Sequence, residues 1–440
     1  MENPTQEMTS SNNDEAAVVF PPYRWFVLFV ACFAIASMYV HMTSIAPILG
    51  TIAEQMNLTM GQATQLFTAR MLGEAVWMVF VGWYVDKHGI SKAIIVGLFV
   101  GLLSVLATPL ISGSYAGFLV ARFLQAIAIG TIFPVVGYVA AHWFPEREHG
   151  LANGLFFGSV CVGAAVGALL SPFIMSATGS WEWTIVILGI FNVIGIVFAY
   201  MVAGKKGPMQ EMADQGQTEV IENPMTYADT LKFPITWIGM LIVFANAWIF
   251  FGLTNFIPAF LAEPQPMGAG LGAETAGVLN LALTLIGILA VLLGGWFFDT
   301  VMKGKAKIPV ALGFVSTMVA FLLIYQGVQA SMFLIVVILM LGGFGIPFQN
   351  PALSAYVVKV YPPEVAGSMI GFWFGGGTFG AAVGLFVGSI LIEKTGSFNS
   401  SLVLISIAAV VGFILTVLYL KHNLIMDHPR SRENAKEWTR

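Results

Sequence analysis

Charged residues are scarce in this sequence. They make up only 10% of its 440 residues, whereas about 25% is usual for a soluble domain. Apolar residues reach 58% of the chain, and the mean hydropathy is +0.84. This composition argues against a large soluble helical protein and favours a chain that is embedded in a membrane.

The features of several other protein classes are missing. The two cysteines, Cys32 and Cys161, both fall in apolar runs, which favours neither a disulfide nor a metal site. The sequence has no basic stripe for nucleic acid, no phosphate-binding loop and no Ser-His-Asp arrangement recognisable from spacing. We therefore expect no enzymatic activity, no cofactor, no metal ion and no nucleic-acid partner.

What the chain does contain is long apolar runs. Runs of roughly 20 residues can cross a bilayer, and in lipid their backbone groups can be satisfied only if they form helices. The sequence therefore predicts an all-α membrane protein with twelve transmembrane helices, centred near residues 35, 73, 100, 129, 163, 193, 247, 287, 317, 345, 378 and 410.

Two stretches of the chain occur twice. Residues 144–167 match residues 361–384 at 10 of 24 positions without a gap, and residues 82–86 return in similar form at 295–299. A repeat of this kind in an apolar chain predicts two related bundles with a substrate site between them.

The repeat and the polar segments together predict the domain organisation. Each half contains six of the predicted helices, and the polar segments lie at both ends and at the centre of the chain. We predict a disordered tail at 1–23, bundles at 24–204 and 233–421, a linker loop at 205–232 and a second tail at 422–440.

The positions of Lys and Arg predict the orientation. The two tails and the even-numbered loops hold 16 basic residues, whereas the odd-numbered loops hold only Lys394. Because basic residues remain on the cytoplasmic side, we expect both termini to be cytoplasmic. No organelle signal is visible, so a bacterial cytoplasmic membrane is the expected location.

The loop after the second apolar run resembles a family signature. Residues 82–92 read GWYVDKHGISK, which resembles the loop G-x-x-x-D-[RK]-x-G-x-[RK]-[RK] of the major facilitator superfamily, with Ser91 at one basic position. The resemblance extends over about residues 24–421. It implies two six-helix bundles that rock about a central site to open it to each side alternately.

This resemblance also implies a gate on the cytoplasmic side. Asp86 is expected to bind the start of the eleventh helix, near residues 366–368, because a helix N-terminus attracts a carboxylate. Asp299 is expected to bind the start of the fifth helix in the same way; for each Asp, an ordinary solvated turn is the alternative. The predicted gating residues are Gly82, Asp86, Lys87, Gly89, Lys92 and Asp299.

The fourth helix resembles the organic anion:cation symporter branch of the superfamily. Residues 122–148 begin with RFL, contain FP and end with WFPERE, as members of that branch do. The branch has an Arg where Tyr39 stands, a Tyr at Glu74 and a Glu at Ile129. The anchoring and coupling charges of this chain therefore stand at other positions than in the branch. For this reason the substrates of the branch cannot be assigned to this chain. Arg122, inside a membrane helix, needs a partner or a wet cavity and is predicted to be a structural charge.

Arg70 and Glu74 are the most informative pair. At i and i+4 they share one face of the second helix, and Arg70 lies about 24 Å from Asp86 along the helix axis. Charges inside a membrane are functional candidates by default. Arg70 would anchor a substrate carboxylate through two hydrogen bonds, and Glu74 would carry a coupling proton. The alternative is a structural ion pair that fixes the helix.

Other polar and aromatic residues lie at similar depth. Residues 349–351, Gln-Asn-Pro, are predicted to break the tenth helix and to line the cavity. His41 could relay protons or line a wet cavity, and each of the others could instead bond or pack between helices. The predicted substrate-binding residues are Arg70, Glu74, Tyr39, His41, Asn255, Gln349, Asn350 and Trp373.

Together these features predict a secondary active transporter that works by alternating access. We expect a monomer in the bilayer that takes up a small organic anion, a carboxylate or sugar acid, with H⁺ or Na⁺ and preferably a proton. An exporter or anion exchanger of the same fold is one alternative. A non-transporting sensor is another, although no extra domain supports it.

Overall fold

The computed structural model describes residues 20–58, 60–214 and 225–420. This part of the chain is helical and contains no strand. The predicted tail at 422–440 and residues 1–19 of the first tail lie outside the described residues.

Twelve long helices occur in the described residues, at the positions that the apolar runs predict. α4 is interrupted at Phe133–Pro134 and α6 at Gly189. The bounds are α1 Arg24–Ser44, α2 Met60–His88, α3 Ile90–Ile111, α4 Tyr115–Trp143, α5 His149–Thr178, α6 Trp181–Met201, α7 Pro234–Ala262, α8 Ala273–Trp296, α9 Lys307–Ala330, α10 Met332–Val360, α11 Ala366–Thr395 and α12 Asn399–Tyr419.

Most of these helices are apolar along their whole length. Over the described residues, ten are long and apolar enough to cross a membrane on length and composition alone. α2 and α8 are the other two. α2 carries Arg70, Glu74, Asp86 and Lys87, so its composition is that of a helix with a polar function rather than of a simple anchor.

Each half is held together by close helix crossings at corresponding places. In the first half Gly163 of α5 lies against the backbone of Ala36 in α1, and in the second half Gly380 of α11 lies against the backbone of Phe244 in α7. A Cβ at either glycine would collide with the facing helix, because membrane helices approach this closely only through small residues. The repeated GAAVG segment therefore marks the same crossing in both halves.

The two halves meet on one side of the membrane. We call the side where α1 begins and α12 ends the termini side, and the opposite side the far side. Near the termini side, Gly82 of α2 packs on Gly367 of α11, and Gly295 of α8 packs on Gly150 of α5. These two crossings are related by the repeat, and they close the termini side.

Proline affects two helices differently. Pro134 separates the two parts of α4. α10, in contrast, continues as an α-helix through Pro347 and Pro351, so the predicted break at 349–351 is wrong. A proline removes one hydrogen bond from the ladder, and within a membrane bundle the neighbouring groups can compensate for that loss.

Candidate functional site

A buried ion pair lies on α2. Arg70 Nη1 donates to Glu74 Oε2 at 2.5 Å, and the two residues are 2% and 4% exposed. Within the described part of the chain, Arg70 Nε has no hydrogen-bond partner. The guanidinium therefore has donor capacity left for an anion.

Two further side chains surround this pair. Arg122 of α4 is fully buried, donates from Nη1 to Gln125 Oε1 at 2.6 Å, and lies within electrostatic range of Arg70. Tyr39 of α1 lies within electrostatic range of both Arg70 and Glu74. We call Tyr39, Arg70, Glu74 and Arg122 the charged cluster. Its two guanidinium groups and one carboxylate give it one excess positive charge when all are ionised.

His41 does not join the charged cluster. It is 3% exposed, and its Nε2 is paired with Asn192 Oδ1 of α6 at 2.9 Å. Since Tyr39 and His41 are two positions apart, they point to nearly opposite sides of α1. The structure thus places His41 between α1 and α6 of its own bundle, in contact with Asn192 rather than with the charged cluster.

In the second half, Asn350 is the polar residue best placed for the centre. Its Oδ1 accepts from Asn246 Nδ2 of α7 at 3.0 Å. One turn further along the same face, Ser354 hydrogen-bonds Asn153 of α5 in the other half. Asn350 therefore lies on the face of α10 that is turned toward the first half.

Three other predicted binding residues lie elsewhere. Gln349 is fully buried beside Gly313 of α9, and Trp373 is fully buried against Gly239 of α7. Both fill the interior of the second bundle, so neither reaches a central site in this conformation. Asn255 is exposed toward the far-side end of α7, where its Nδ2 donates to Phe251 O at 2.8 Å.

The predicted contacts of the two gating carboxylates are both present. Asp86 accepts hydrogen bonds from Gly367 N at 2.9 Å, from Ser368 N at 2.7 Å and from Ser368 Oγ at 2.5 Å. Asp299 accepts from Gly150 N at 2.8 Å and from Leu151 N at 2.6 Å. Each carboxylate thus joins one half to the N-terminus of a helix in the other half.

The remaining signature residues shape the loop rather than join the halves. Gly89 has φ 77°, a left-handed conformation that glycine adopts without steric cost, and it lets α3 follow α2 directly. Lys87 Nζ lies 4.8 Å from the centre of the Trp83 ring, and Lys92 is exposed. Neither lysine contacts Asp86 or α11 in the described hydrogen bonds and ion pairs.

One contact between the halves was missed by sequence reasoning. Asn153 and Ser354 are both fully buried and hydrogen-bond each other from α5 to α10, while Asn153 Nδ2 also donates to His149 O at 2.6 Å. A lone Asn inside an apolar run was the available signal, because a buried amide needs a partner. The sequence could not show which helix supplies it.

The linker also touches both halves. Tyr227 Oη donates to Val79 O of α2 at 3.1 Å, and its ring lies edge-on to Phe372 of α11. Asp229 at the same turn accepts from Lys232 Nζ at 2.8 Å, and this bond holds the pKa of the Asp229 carboxyl below its ordinary value. The described residues of the predicted loop at 205–232 include two short helices, Pro208–Asp214 and Tyr227–Thr230.

Two related six-helix halves, closed together on one side above a buried charged cluster, define an alternating-access membrane transporter. The chain belongs to the Major Facilitator Superfamily, whose family model it matches over residues 27–364 and 304–440.

Similarity to known proteins extends over most of the chain. The chain is 23% identical over 380 residues to a gentisate transporter of Corynebacterium glutamicum, and the match covers 84% of this chain and 82% of that protein. It is 24% identical over 433 residues to a probable sulfoacetate transporter of Cupriavidus necator, covering 92% and 96%. The structure of the proton:xylose symporter XylE bound to 6-bromo-6-deoxy-D-glucose superposes with a TM-score of 0.70 at 11% identity, covering 91% and 96%.

Proposed function

We propose that this protein imports a small organic anion, a carboxylate or sulfonate of low mass, together with a proton. The charged cluster is the observation that carries the proposal. A buried guanidinium costs several kcal/mol unless it is paired. Arg70 is paired with Glu74, and among the described residues its Nε still has no hydrogen-bond partner. An anion that enters beside Arg70 would satisfy this donor.

Glu74 supplies the coupling in this proposal. When the substrate anion binds Arg70, it competes with the Glu74 carboxylate for the same guanidinium. A proton on Glu74 weakens that competition, because a protonated carboxyl no longer carries the negative charge that attracts the guanidinium. Proton and anion would then enter the cluster together and leave it together, which is symport.

The similar proteins support the substrate class. The names of two of them specify gentisate and sulfoacetate, and both of these molecules are small organic anions. The excess positive charge of the cluster fits such a substrate better than it fits a sugar or a cationic drug. Tyr39, Asn350 and Asn246 are proposed to contact the uncharged part of the substrate.

The termini side is proposed to be cytoplasmic. The basic residues concentrate there, as expected for a cytoplasmic face, and a bacterial cytoplasmic membrane fits this arrangement. The structure then has its cytoplasmic side shut by Asp86 and Asp299. Both bundles, 24–204 and 233–421, come from one chain, so a monomer is sufficient for transport.

A ligand panel tests the proposal. Thermal unfolding of the purified protein is followed with carboxylates, sulfonates, neutral sugars and cationic drugs. A ligand at about 100 times its Kd stabilises the folded state by about 2.7 kcal/mol. We expect one class of anion to stabilise the protein, and we expect this stabilisation to be lost in Arg70→Ala. It should be weaker in Arg70→Lys, since lysine cannot form a bidentate contact with the anion.

The matched control is Arg147→Ala, because Arg147 is an exposed arginine whose side chain is 83% accessible. This variant should respond to the anion as the wild type does. Stabilisation by cations alone, or an anion response that survives Arg70→Ala, would contradict the assignment of Arg70.

A further inference from the structure

A groove runs along the outer surface of α2, apart from the charged cluster. Its volume is about 620 Å³, within the ~300–1,000 Å³ range that is usual for small-molecule sites. Residues from α2, α3, α4 and the end of the linker line it. They are Trp77, Phe80, Val81, Trp83, Tyr84, Val96, Thr131 and Tyr227.

The groove faces the lipid rather than the centre of the protein. Phe80 and Trp83 are 66% and 53% exposed, while Arg70 and Glu74 on the opposite face of α2 are buried. The distance from Trp83 to Trp77 along the helix is about 9 Å at 1.5 Å per residue. The groove therefore extends from the termini side toward the middle of the bilayer.

Two of the polar groups in the groove are already hydrogen-bonded. Trp77 Nε1 donates to Thr131 Oγ1 at 2.9 Å, and Tyr227 Oη donates to Val79 O at 3.1 Å. An occupant of the groove therefore needs no hydrogen-bonding groups at this depth. A hydrocarbon chain fits that requirement.

Two lysines stand at the termini-side mouth of the groove. Lys87 lies one turn from Trp83 and its Nζ sits 4.8 Å from that ring. Lys92 lies one turn before Val96, and residues four apart share a helix face. Among the acids on this side, Asp86 is engaged by the N-terminus of α11 and Asp229 is paired with Lys232. The two lysines therefore place positive charge at the termini-side end of a groove that is otherwise apolar.

We propose that this groove binds one anionic phospholipid of the termini-side leaflet. An acyl chain occupies the groove between Phe80, Trp83 and Val96, and the phosphate binds Lys87 and Lys92. Anionic lipids are enriched on the cytoplasmic side of membranes, where they attract basic residues. The bound lipid contacts the same helix that carries Gly82 and Asp86, so it touches the element that closes the termini side.

Native mass spectrometry tests the proposal. The full chain is delipidated in mild detergent and titrated with phosphatidylglycerol or with phosphatidylcholine. We expect one tightly held phosphatidylglycerol in the wild type. In Val96→Trp, where the indole fills the groove, this lipid should be lost. Lys87→Gln and Lys92→Gln should each weaken binding about fivefold.

Matched variants control for general effects on the lipid-facing surface. Val193→Trp places the same side chain at a valine of α6 that is 42% exposed, against 41% for Val96, and it should retain the lipid. Lys305→Gln removes a lysine of the other half and should also retain it. Thermal unfolding of each variant confirms that the protein is folded.

Three results would overturn the proposal. The first is phosphatidylglycerol held by Val96→Trp as tightly as by the wild type. The second is phosphatidylcholine bound as well as phosphatidylglycerol, with no effect of the lysine substitutions. The third is a dimer that forms through this face of α2 and excludes lipid.

Discussion

At the scale of single residues, the buried charges need an explanation beyond stability. Removing an ion pair from water costs several kcal/mol for each ion, and the mutual attraction of the pair often only offsets that cost. Arg70 and Glu74 are nevertheless almost fully buried inside a helix that crosses lipid. The proposed role in binding and coupling would account for both charges, whereas an apolar pair would hold α2 in place equally well.

The proposed coupling role of Glu74 is tested by Glu74→Gln. The amide cannot carry the proton, so we expect uptake driven by a pH gradient to be lost. Exchange of internal for external substrate should persist, because Arg70 still binds the anion. Both quantities are measured in proteoliposomes, and Glu146→Gln, at an exposed acid on the termini side, serves as control. Gradient-driven accumulation by Glu74→Gln would show that the proton travels elsewhere.

The sequence was informative about single residues only where they are conspicuous. Arg70, Glu74 and Arg122 interrupt apolar runs, so their importance could be predicted. The inward positions of Gln349 and Trp373 could not, because lipid is as apolar as the protein interior. A membrane helix therefore carries little periodicity to show which face is turned to the centre, and the sequence could not show that His41 contacts Asn192 of α6.

At the scale of helices, glycine decides which crossings are possible. Gly163 brings together two helices of one half, whereas Gly82 brings together α2 and α11 of different halves. The first crossing must persist throughout the transport cycle. The second must separate whenever the termini side opens. The same substitution should therefore have different consequences at the two positions.

Gly82→Ala should open the termini side without unfolding the protein. Its Cβ would collide with the backbone of Gly367 and Ser368 only when the halves are closed. Gly163→Ala should instead lower the unfolding temperature, since its Cβ meets the backbone of Ala36 in every state. Gly113→Ala is the control, because no atom of the described residues lies within 4 Å of the added Cβ.

The measurement is maleimide labelling from the termini side of Ile370→Cys, in a background where Cys32 and Cys161 are serine. Ile370 is fully buried where α11 meets Gly137 of the first half. Labelling should rise in Gly82→Ala and remain low in Gly163→Ala. Equal labelling in these two variants would contradict the distinction between permanent and transient crossings.

Helix positions followed well from the sequence, but the effect of proline did not. Each of the twelve apolar runs corresponds to a helix in the structure, because backbone groups in lipid must form their hydrogen bonds within the segment. Pro134 interrupts α4, whereas α10 passes through Pro347 and Pro351 without interruption. The sequence of a single helix does not show which proline interrupts it.

At the scale of the whole molecule, the internal repeat predicted the two halves, and the family resemblance implied both gating contacts between them. Asp86 and Asp299 bind equivalent helix starts, although Asp86 accepts three hydrogen bonds and Asp299 two. The sequence could not indicate which side would be closed. The sequence must encode at least two conformations whose free energies differ by only a few kcal/mol. The state that is closed on the termini side is one of them.

The central claim is that Arg70 binds an organic anion which the protein moves across the membrane with protons. Uptake of labelled small carboxylates and sulfonates into proteoliposomes, with and without an imposed proton gradient, tests it most directly. We predict accumulation of one such anion that a protonophore abolishes. Arg70→Ala should reduce it about 10- to 100-fold, the loss expected for one charge-assisted hydrogen-bonding group. Expulsion of cations, or anion uptake that is indifferent to both the gradient and Arg70→Ala, would contradict the account.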